Sequence, residues 1–298
     1  MTPRHRREAV RRLIEQGLSE RHSCAVADIA RSVYEYVGDE GEDRKLAWKI
    51  RAIARKHPRY GYRRVWALLR RAGMTVNLKR VYRLWKKLGL TLSRRPSRKR
   101  ARKGGQVPLK ALYPRHVWTY DFMQDQTADG RRLKILTVVD EFTRESIAIR
   151  VERRMPAGVV IEVLREAFRR YGAPEFLRSD NGPEFIAEAV QSWLAGQGTK
   201  THYIDPASPW QNAFGESFND KLRQECLNLE VFETLEEAKV VIARWRRAYN
   251  GERPHSSLGY RTPKEFRAKW EKEFSSSRAP GSLRSLGVRA REEEKLWV

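Results

Sequence analysis

Asp121, Asp180 and Glu216 are the residues best suited to do chemistry in this chain. Asp121 ends the apolar run Val117-Trp118-Thr119-Tyr120, and Asp180 ends Phe176-Leu177-Arg178-Ser179. Glu216 stands in Phe214-Gly215-Glu216-Ser217-Phe218-Asn219, with 35 residues between it and Asp180. Carboxylates are hard oxygen donors that suit Mg²⁺ or Mn²⁺. Two such ions can hold both the attacking and the leaving oxygen of a phosphodiester during an in-line displacement. Asn181-Gly182 predicts a tight turn behind Asp180 that leaves its carboxylate accessible. Asp125, Asp129, Asp140 and Glu184 lie in the same region without that pattern. Asp140, at a strand end, is expected to pair with Arg144, and Glu184 to favour the dipole of a helix start.

Strand ends and a helix must bring the three acids together. Alternating apolar runs at 117–122, 133–139 and 146–151, separated by turn residues, predict an antiparallel meander. A helix over Ala157–Tyr171 precedes a short strand at 175–179 that carries Asp180 at its end. A helix over Pro183–Ala195, a strand over Lys200–Ile204 and a helix over Asn212–Leu227 follow. Strands that alternate with helices after an antiparallel start give a mixed sheet covered by helices. On the last helix Glu216 shares a side with Asn212, Asp220 and Arg223. A further helix is expected over Thr234–Tyr249.

The N-terminal third reads as all-helical. Helices are expected over Arg4–Gln16 and Ser23–Tyr36, the second with Val26, Ile29, Ala30 and Val33 inward. Gly38–Asp43 reads as a linker. Helices over Lys45–Lys56, Tyr62–Arg71 and Leu78–Leu88 follow, the last capped by Asn77. The final pair, joined by a glycine turn, has the form of a helix-turn-helix, with Lys79, Arg80, Arg83 and Lys86 left to face a groove.

Charge names the partner. The net charge is +24, and it is unevenly spread: residues 1–115 hold 32 Lys/Arg against 9 Asp/Glu, the remainder 29 against 28. Between Arg44 and Tyr120 there are 25 basic residues and no acidic one. A solvated surface usually interleaves both signs, so a one-sided run points to a polyanion, nucleic acid ahead of a membrane surface or mere solubility, and with the helix-turn-helix the expected partner is double-stranded DNA. Arg94, Arg95, Arg98, Lys99 and Arg100 lie in a Pro-, Gly- and Arg-rich stretch with nothing apolar to bury. That stretch is expected to be a flexible linker gripping phosphates. No apolar stretch is long enough for a membrane span, and the Arg-rich start has no apolar signal core behind it. The expected residence is the cytoplasm. Cys24 and Cys226 are expected to be buried free thiols.

The strings Val117-Trp118-Thr119-Tyr120-Asp121, Thr137 to Arg144, Ser179-Asp180-Asn181-Gly182-Pro183-Glu184-Phe185, Gly215-Glu216-Ser217-Phe218-Asn219 and Tyr249-Asn250-x-x-Arg253-Pro254-His255 resemble the DDE transposases and integrases. The likeness is greatest to the longer-frame product of the bacterial insertion-sequence-three family, and it runs from about residue 40 to 270. The resemblance implies an α/β, ribonuclease-H-like mixed five-stranded sheet with flanking helices, preceded by an all-α helix-turn-helix region. It makes Asp121, Asp180 and Glu216 the ligands of two Mg²⁺ or Mn²⁺ ions, supported by Asn181, Gly182 and Asn212. It makes Arg223, with Lys221, a contact to the DNA backbone. A loop before the Glu216 helix, with Trp210, would flank the site. His255 matches a family string, and either packing or DNA contact would account for it.

The expected organisation is a helical segment at 1–38, a helix-turn-helix domain at 44–92, a basic linker at 93–111, a catalytic domain at 112–270 and a flexible tail at 271–298. The resemblance further implies a transposase that cleaves and joins DNA at element ends. It would act as a homo-oligomer on element ends and target, with the shorter upstream-frame protein as a further partner. The alternatives are a ribonuclease-H-like nuclease that never joins and a silent DNA-binding protein from a decayed element. No Cys-x-x-Cys zinc module, Walker lysine or His-x-x-Arg of a tyrosine recombinase is present.

Overall fold

The computed structural model describes residues 2–35, 40–91, 109–179, 188–203 and 212–275. Contacts group the chain into two compact units, Met1–Ala52 and Ile53–Val298.

The first unit holds α1 (Pro3–Glu15), α2 (Glu20–Val26) and α3 (Arg31–Glu35), and α4 (Glu40–Lys56) runs across the boundary. Ser19 caps α2 by accepting from the His22 N–H at 3.3 Å. The single helix expected over Ser23–Tyr36 is broken. Asp28 takes φ 50°, the Ile29 N–H donates to the Cys24 carbonyl at 3.0 Å and the Asp28 N–H to the Ala25 carbonyl at 3.1 Å. This is a left-handed helix stop, and aspartate is one of the few residues to accept that conformation. Val26 and Val33, expected inward, are 58% and 42% exposed. Helix α4 starts at Glu40, inside the expected linker, which places Glu42 and Asp43 near the positive end of its dipole.

The second unit opens with α5 (Tyr62–Arg71) and α6 (Leu78–Lys87). Gly73, at φ 81°, follows α5, and Asn77 Oδ1 accepts from the Lys79 N–H at 2.8 Å to start α6. Val65 and Leu69 of α5 and Val81, Leu84 and Trp85 of α6 are buried.

The sheet comprises β1 (Val117–Gln126), β2 (Arg132–Asp140), β3 (Ser146–Glu152), β4 (Phe176–Ser179) and β5 (Lys200–Tyr203), in the order β3-β2-β1-β4-β5. The first three strands pair antiparallel; β4 joins β1, and β5 joins β4, in parallel. Strand alternation divides the side chains between two cores. Trp118, Tyr120, Leu136 and Val138 pack with α7 (Ala157–Tyr171) and α8 (Glu188–Gly196). Met123, Leu133, Ile135 and Val139 pack with α9 (Ala213–Glu225) and α10 (Leu235–Gly251). This mixed sheet with helices on both faces is the ribonuclease-H-like arrangement.

Helix α11 (Pro263–Ser275) was not expected and takes up the start of the expected tail. Its signal is a capping box: the Thr262 N–H donates to Glu265 at 2.9 Å, and the Glu265 N–H donates to Thr262 Oγ1 at 3.3 Å.

Candidate active site

Alternation along β1 sends Thr119 and Asp121 to the α9 side of the sheet, opposite Trp118 and Tyr120. There Asn219 of α9 donates from Nδ2 to Asp121 Oδ2 at 2.8 Å and accepts on Oδ1 from Thr137 Oγ1 at 3.0 Å. Asp121 and Thr137 are directly opposite in the β1–β2 register. The other carboxylate oxygen, Oδ1, accepts from the Phe122 N–H at 2.7 Å. Asp121 is thus oriented by donors on both oxygens.

Glu216 is exposed and lies three residues before Asn219, the spacing of neighbours on one helix side. The bond that ties Asn219 to Asp121 therefore brings Glu216 to the same side of α9 as Asp121. A second tie sits one turn back, where Thr119 Oγ1 donates to Asn212 Oδ1 at 2.7 Å. Asn212 is buried, and an added Cβ on Gly215 would stand 2.6 Å from its Oδ1. Glycine at 215 lets the helix close over that amide. Asp180, Asn181, Gly182, Glu184 and Trp210 lie outside the described residues; β4, which leads to Asp180, runs parallel to β1 and ends at Ser179.

The donor set offered here by Asp121 and Glu216 is carboxylate oxygen with amide support, which suits Mg²⁺ or Mn²⁺ rather than zinc. Among the described residues no group of three His, Cys, Asp or Glu converges as a metal site.

Asp140 does not pair with Arg144. Its buried carboxylate accepts from Trp118 Nε1 at 3.0 Å and from the N–H groups of Arg115, Phe142 and Thr143 at 2.7, 2.9 and 2.8 Å. Backbone donors sit closer in that turn than a long side chain could, so the expected structural role holds with different partners. Arg144 stands over the Phe214 ring instead, at 3.7 Å. The buried charge pair nearby is Glu141 with Arg178, 2.9 Å apart at 0% and 1% side-chain exposure. Burial pushes the Glu141 carboxyl up to about 7 despite Arg178. Arg178 also donates to the Leu109 carbonyl at 2.6 Å. Sequence reasoning missed this pair, although a charged residue between Leu177 and Ser179 in an inner strand demands a partner. It likewise missed Asn219 and Thr137, both inside strings it had singled out.

Residues 112–209 and 197–263 match family models described as integrase core domain, and residues 40–100 match one described as HTH-like domain. An uncharacterized 31.7 kDa protein of insertion element IS407 from Burkholderia multivorans is 40% identical over 274 residues, covering 90% of this chain and 96% of that one. The transposase for insertion sequence element IS904 of Lactococcus lactis is 30% identical over 235 residues, covering 74% and 92%. The chain belongs to the insertion-sequence-three family of transposases. The HTLV-2 integrase catalytic core domain, solved in complex with magnesium, aligns at 18% identity with a TM-score of 0.42, covering 53% of this chain and 99% of that one.

In this family member Lys79, Arg83 and Lys86 of α6 are exposed, and Arg80 is half-buried. Arg94, Arg95, Arg98, Lys99 and Arg100 lie outside the described residues. Arg223 donates to the Gln124 carbonyl at 2.9 Å. Lys221 turns from the solvent, with Nζ 2.5 Å from both Ser217 O and Oγ, and burial pulls its amine down to about 8. His255 is buried edge-on to Tyr249, with ring centroids 4.8 Å apart, and packing is the role its position serves. Cys24 and Cys226 are buried free thiols. No helix of the described residues is long and apolar enough to cross a membrane.

Proposed function

We propose that this transposase cleaves DNA at the ends of its insertion element and joins the freed ends to a target, with Asp121, Asp180 and Glu216 as the acidic site. The observation that supports the reading is the Asn219 bond to Asp121, because Glu216 precedes Asn219 by three residues on the same helix. Asp121 would hold both ions, with Asp180 completing one ligand set and Glu216 the other, and Asn181, Gly182 and Asn212 would support the site. Two bound Mg²⁺ or Mn²⁺ ions supply the Lewis acidity for phosphodiester displacement.

The chain's own residues hold and orient. Asn219 fixes the rotamer of Asp121, Thr137 fixes Asn219, and the Thr119–Asn212 bond sets the start of α9. Water opens one strand and leaves a 3′-hydroxyl. That hydroxyl attacks a second phosphodiester, so one bond forms as one breaks and no covalent protein intermediate is needed. Lys79, Arg80, Arg83 and Lys86 of the 44–92 region face the element end. The linker basics grip phosphates, and Arg223 lies near the strand being cut. Lys221 is the weakest of the DNA contacts, because its amine is turned onto α9. The active species is a homo-oligomer on paired ends, assisted by the shorter upstream-frame protein, in the cytoplasm at the nucleoid.

Duplexes carrying the element's terminal repeats test this with Mg²⁺ present. Glu216→Gln should abolish nicking and joining while end binding persists, because the amide lacks the charge that holds a cation. Retained Mg²⁺-dependent activity would move the third acid elsewhere, with Glu184 next to try. Nicked products without joined ones would favour a plain nuclease.

A further inference from the structure

Helix α9 is gripped on two sides. Asn219 ties one side to the sheet, while Glu225, nine residues beyond Glu216 and so on the opposite side, faces α5. Glu225 accepts from Arg64 of α5 at 3.0 Å, and from Arg253 Nε and Nη2 at 2.7 and 2.6 Å. Arg253 is 2% exposed, and the Glu225 side chain 9%. Both guanidinium groups lie against the Tyr60 ring, at 5.1 Å for Arg64 and 5.8 Å for Arg253. Two further contacts fasten α5. Arg71 forms a two-pronged pair with Glu265 at 2.9 and 2.5 Å, and Trp66 meets Tyr260 edge-on at 5.7 Å.

We propose that Glu225 is a positioning residue that couples occupancy of the α5–α6 module to the setting of the Glu216 helix within the same protomer. Arg64 supplies the arm from the DNA-binding side and Arg253 the arm from the scaffold. The module packs through Val65, Leu69, Val81 and Trp85, so a load on α6 is borne by α5 as a body and reaches α9 at a buried carboxylate. Arg253 holds Glu225 in a two-pronged pair, and Arg64 adds one charge-assisted bond at 3.0 Å, so displacement of α5 reaches α9 through that single bond. Elsewhere α5 meets α11 and the turn before it, neither of which carries a proposed metal ligand. On α9, Glu225 is the side chain that Arg64 of the module bonds. The inference rests on the reading of Glu216 as a ligand, but its first readout needs no catalysis.

The test uses the full chain, with Arg64→Met to remove the charge and keep the stem, and Arg64→Lys to restore a cation. Glu225 and Arg253 stay paired in both, which protects the fold. Hydrogen exchange is followed without metal, with and without a terminal-repeat duplex. In the wild type, end binding should slow exchange in both α6 and α9; in Arg64→Met only α6 should respond, and Arg64→Lys should recover part of the α9 response. Single-turnover cleavage at saturating DNA, run alongside, should fall by roughly 10–100-fold in Arg64→Met, the usual effect of losing an orienting partner. Equal α9 protection in wild type and Arg64→Met, or none in the wild type, overturns the coupling. A parallel loss of end affinity and melting temperature in Arg64→Met also overturns it, since that marks simple packing. A wild type that shows the exchange pattern but never cleaves leaves the coupling standing and sinks the proposed activity instead.

Discussion

Asn219 decides how Asp121 presents its oxygens, because a carboxylate at a strand centre otherwise rotates among several partners. Asn219→Ala removes the donor to Asp121 and leaves the Thr137 hydroxyl with the Asp121 carbonyl, at 3.2 Å, as its acceptor. The expected loss is roughly 10–100-fold in cleavage rate and about 1 kcal/mol in stability, read by single-turnover assay and denaturant titration. His255 makes a second prediction at this scale. Burial first, then Arg253 and Lys221, push its imidazole down to about 2, so it is neutral when folded and takes up a proton near pH 6.5 only when unfolded. The unfolded state therefore binds more protons below pH 6.5, and His255 withdraws stability as pH falls from there towards 2. His255→Leu should lessen the decline in melting temperature between pH 6.5 and 4.5. An unchanged slope would show that other groups govern the acid transition.

Secondary-structure elements are placed by a few buried polar ties as much as by apolar packing. Strand β4 is held by the Arg178–Glu141 pair, both members dry. Arg178→Met strands the Glu141 charge and should cost about 3–5 kcal/mol, whereas Arg178→Met with Glu141→Leu should recover most of it, because breaking a buried pair is worse than replacing it. Equal losses in single and double variants would show that the Arg178 bond to the Leu109 carbonyl, not the ion pair, matters more. Helix α9 closes over Asn212 only because residue 215 lacks a Cβ. Gly215→Ala should cost about 1–3 kcal/mol by overpacking, despite the better helix propensity of alanine, and a raised melting temperature would refute it.

On the scale of the whole molecule the controlling property is charge asymmetry. The 25 basic residues between Arg44 and Tyr120 face no acid in their own segment, yet Arg64 and Arg71 are spoken for by Glu225 and Glu265. Those two are held by protein rather than phosphate, and the proposed DNA contacts are the side chains of α6. If about six to ten cations meet phosphates, affinity for random duplex should fall roughly 10³–10⁵-fold between about 50 and 200 mM salt. Competition binding separates reading from gripping: Arg83→Ala should lose about 1–3 kcal/mol on the cognate end and much less on scrambled DNA. Equal losses on both duplexes would mean that α6 holds the backbone without reading bases.

What the sequence determined by itself was local and periodic. The 3.6-residue stripe of α7 and the two-residue alternation of β1 to β3 each lie within one short window, and the elements appear within a residue or a few of where those periods place them. The acidic strings were legible because the residues around each acid are contiguous. Asp180 lies outside the described residues. The tertiary structure decided which charges are buried and with whom. Arg64 finds Glu225 across 161 residues and Arg178 finds Glu141 across 37. Asp140 is turned from Arg144 by backbone donors, and Asp28 stops a helix whose apolar stripe would have continued. Such pairings depend on chain closure between distant elements, and no period in the sequence encodes a distance that only packing creates.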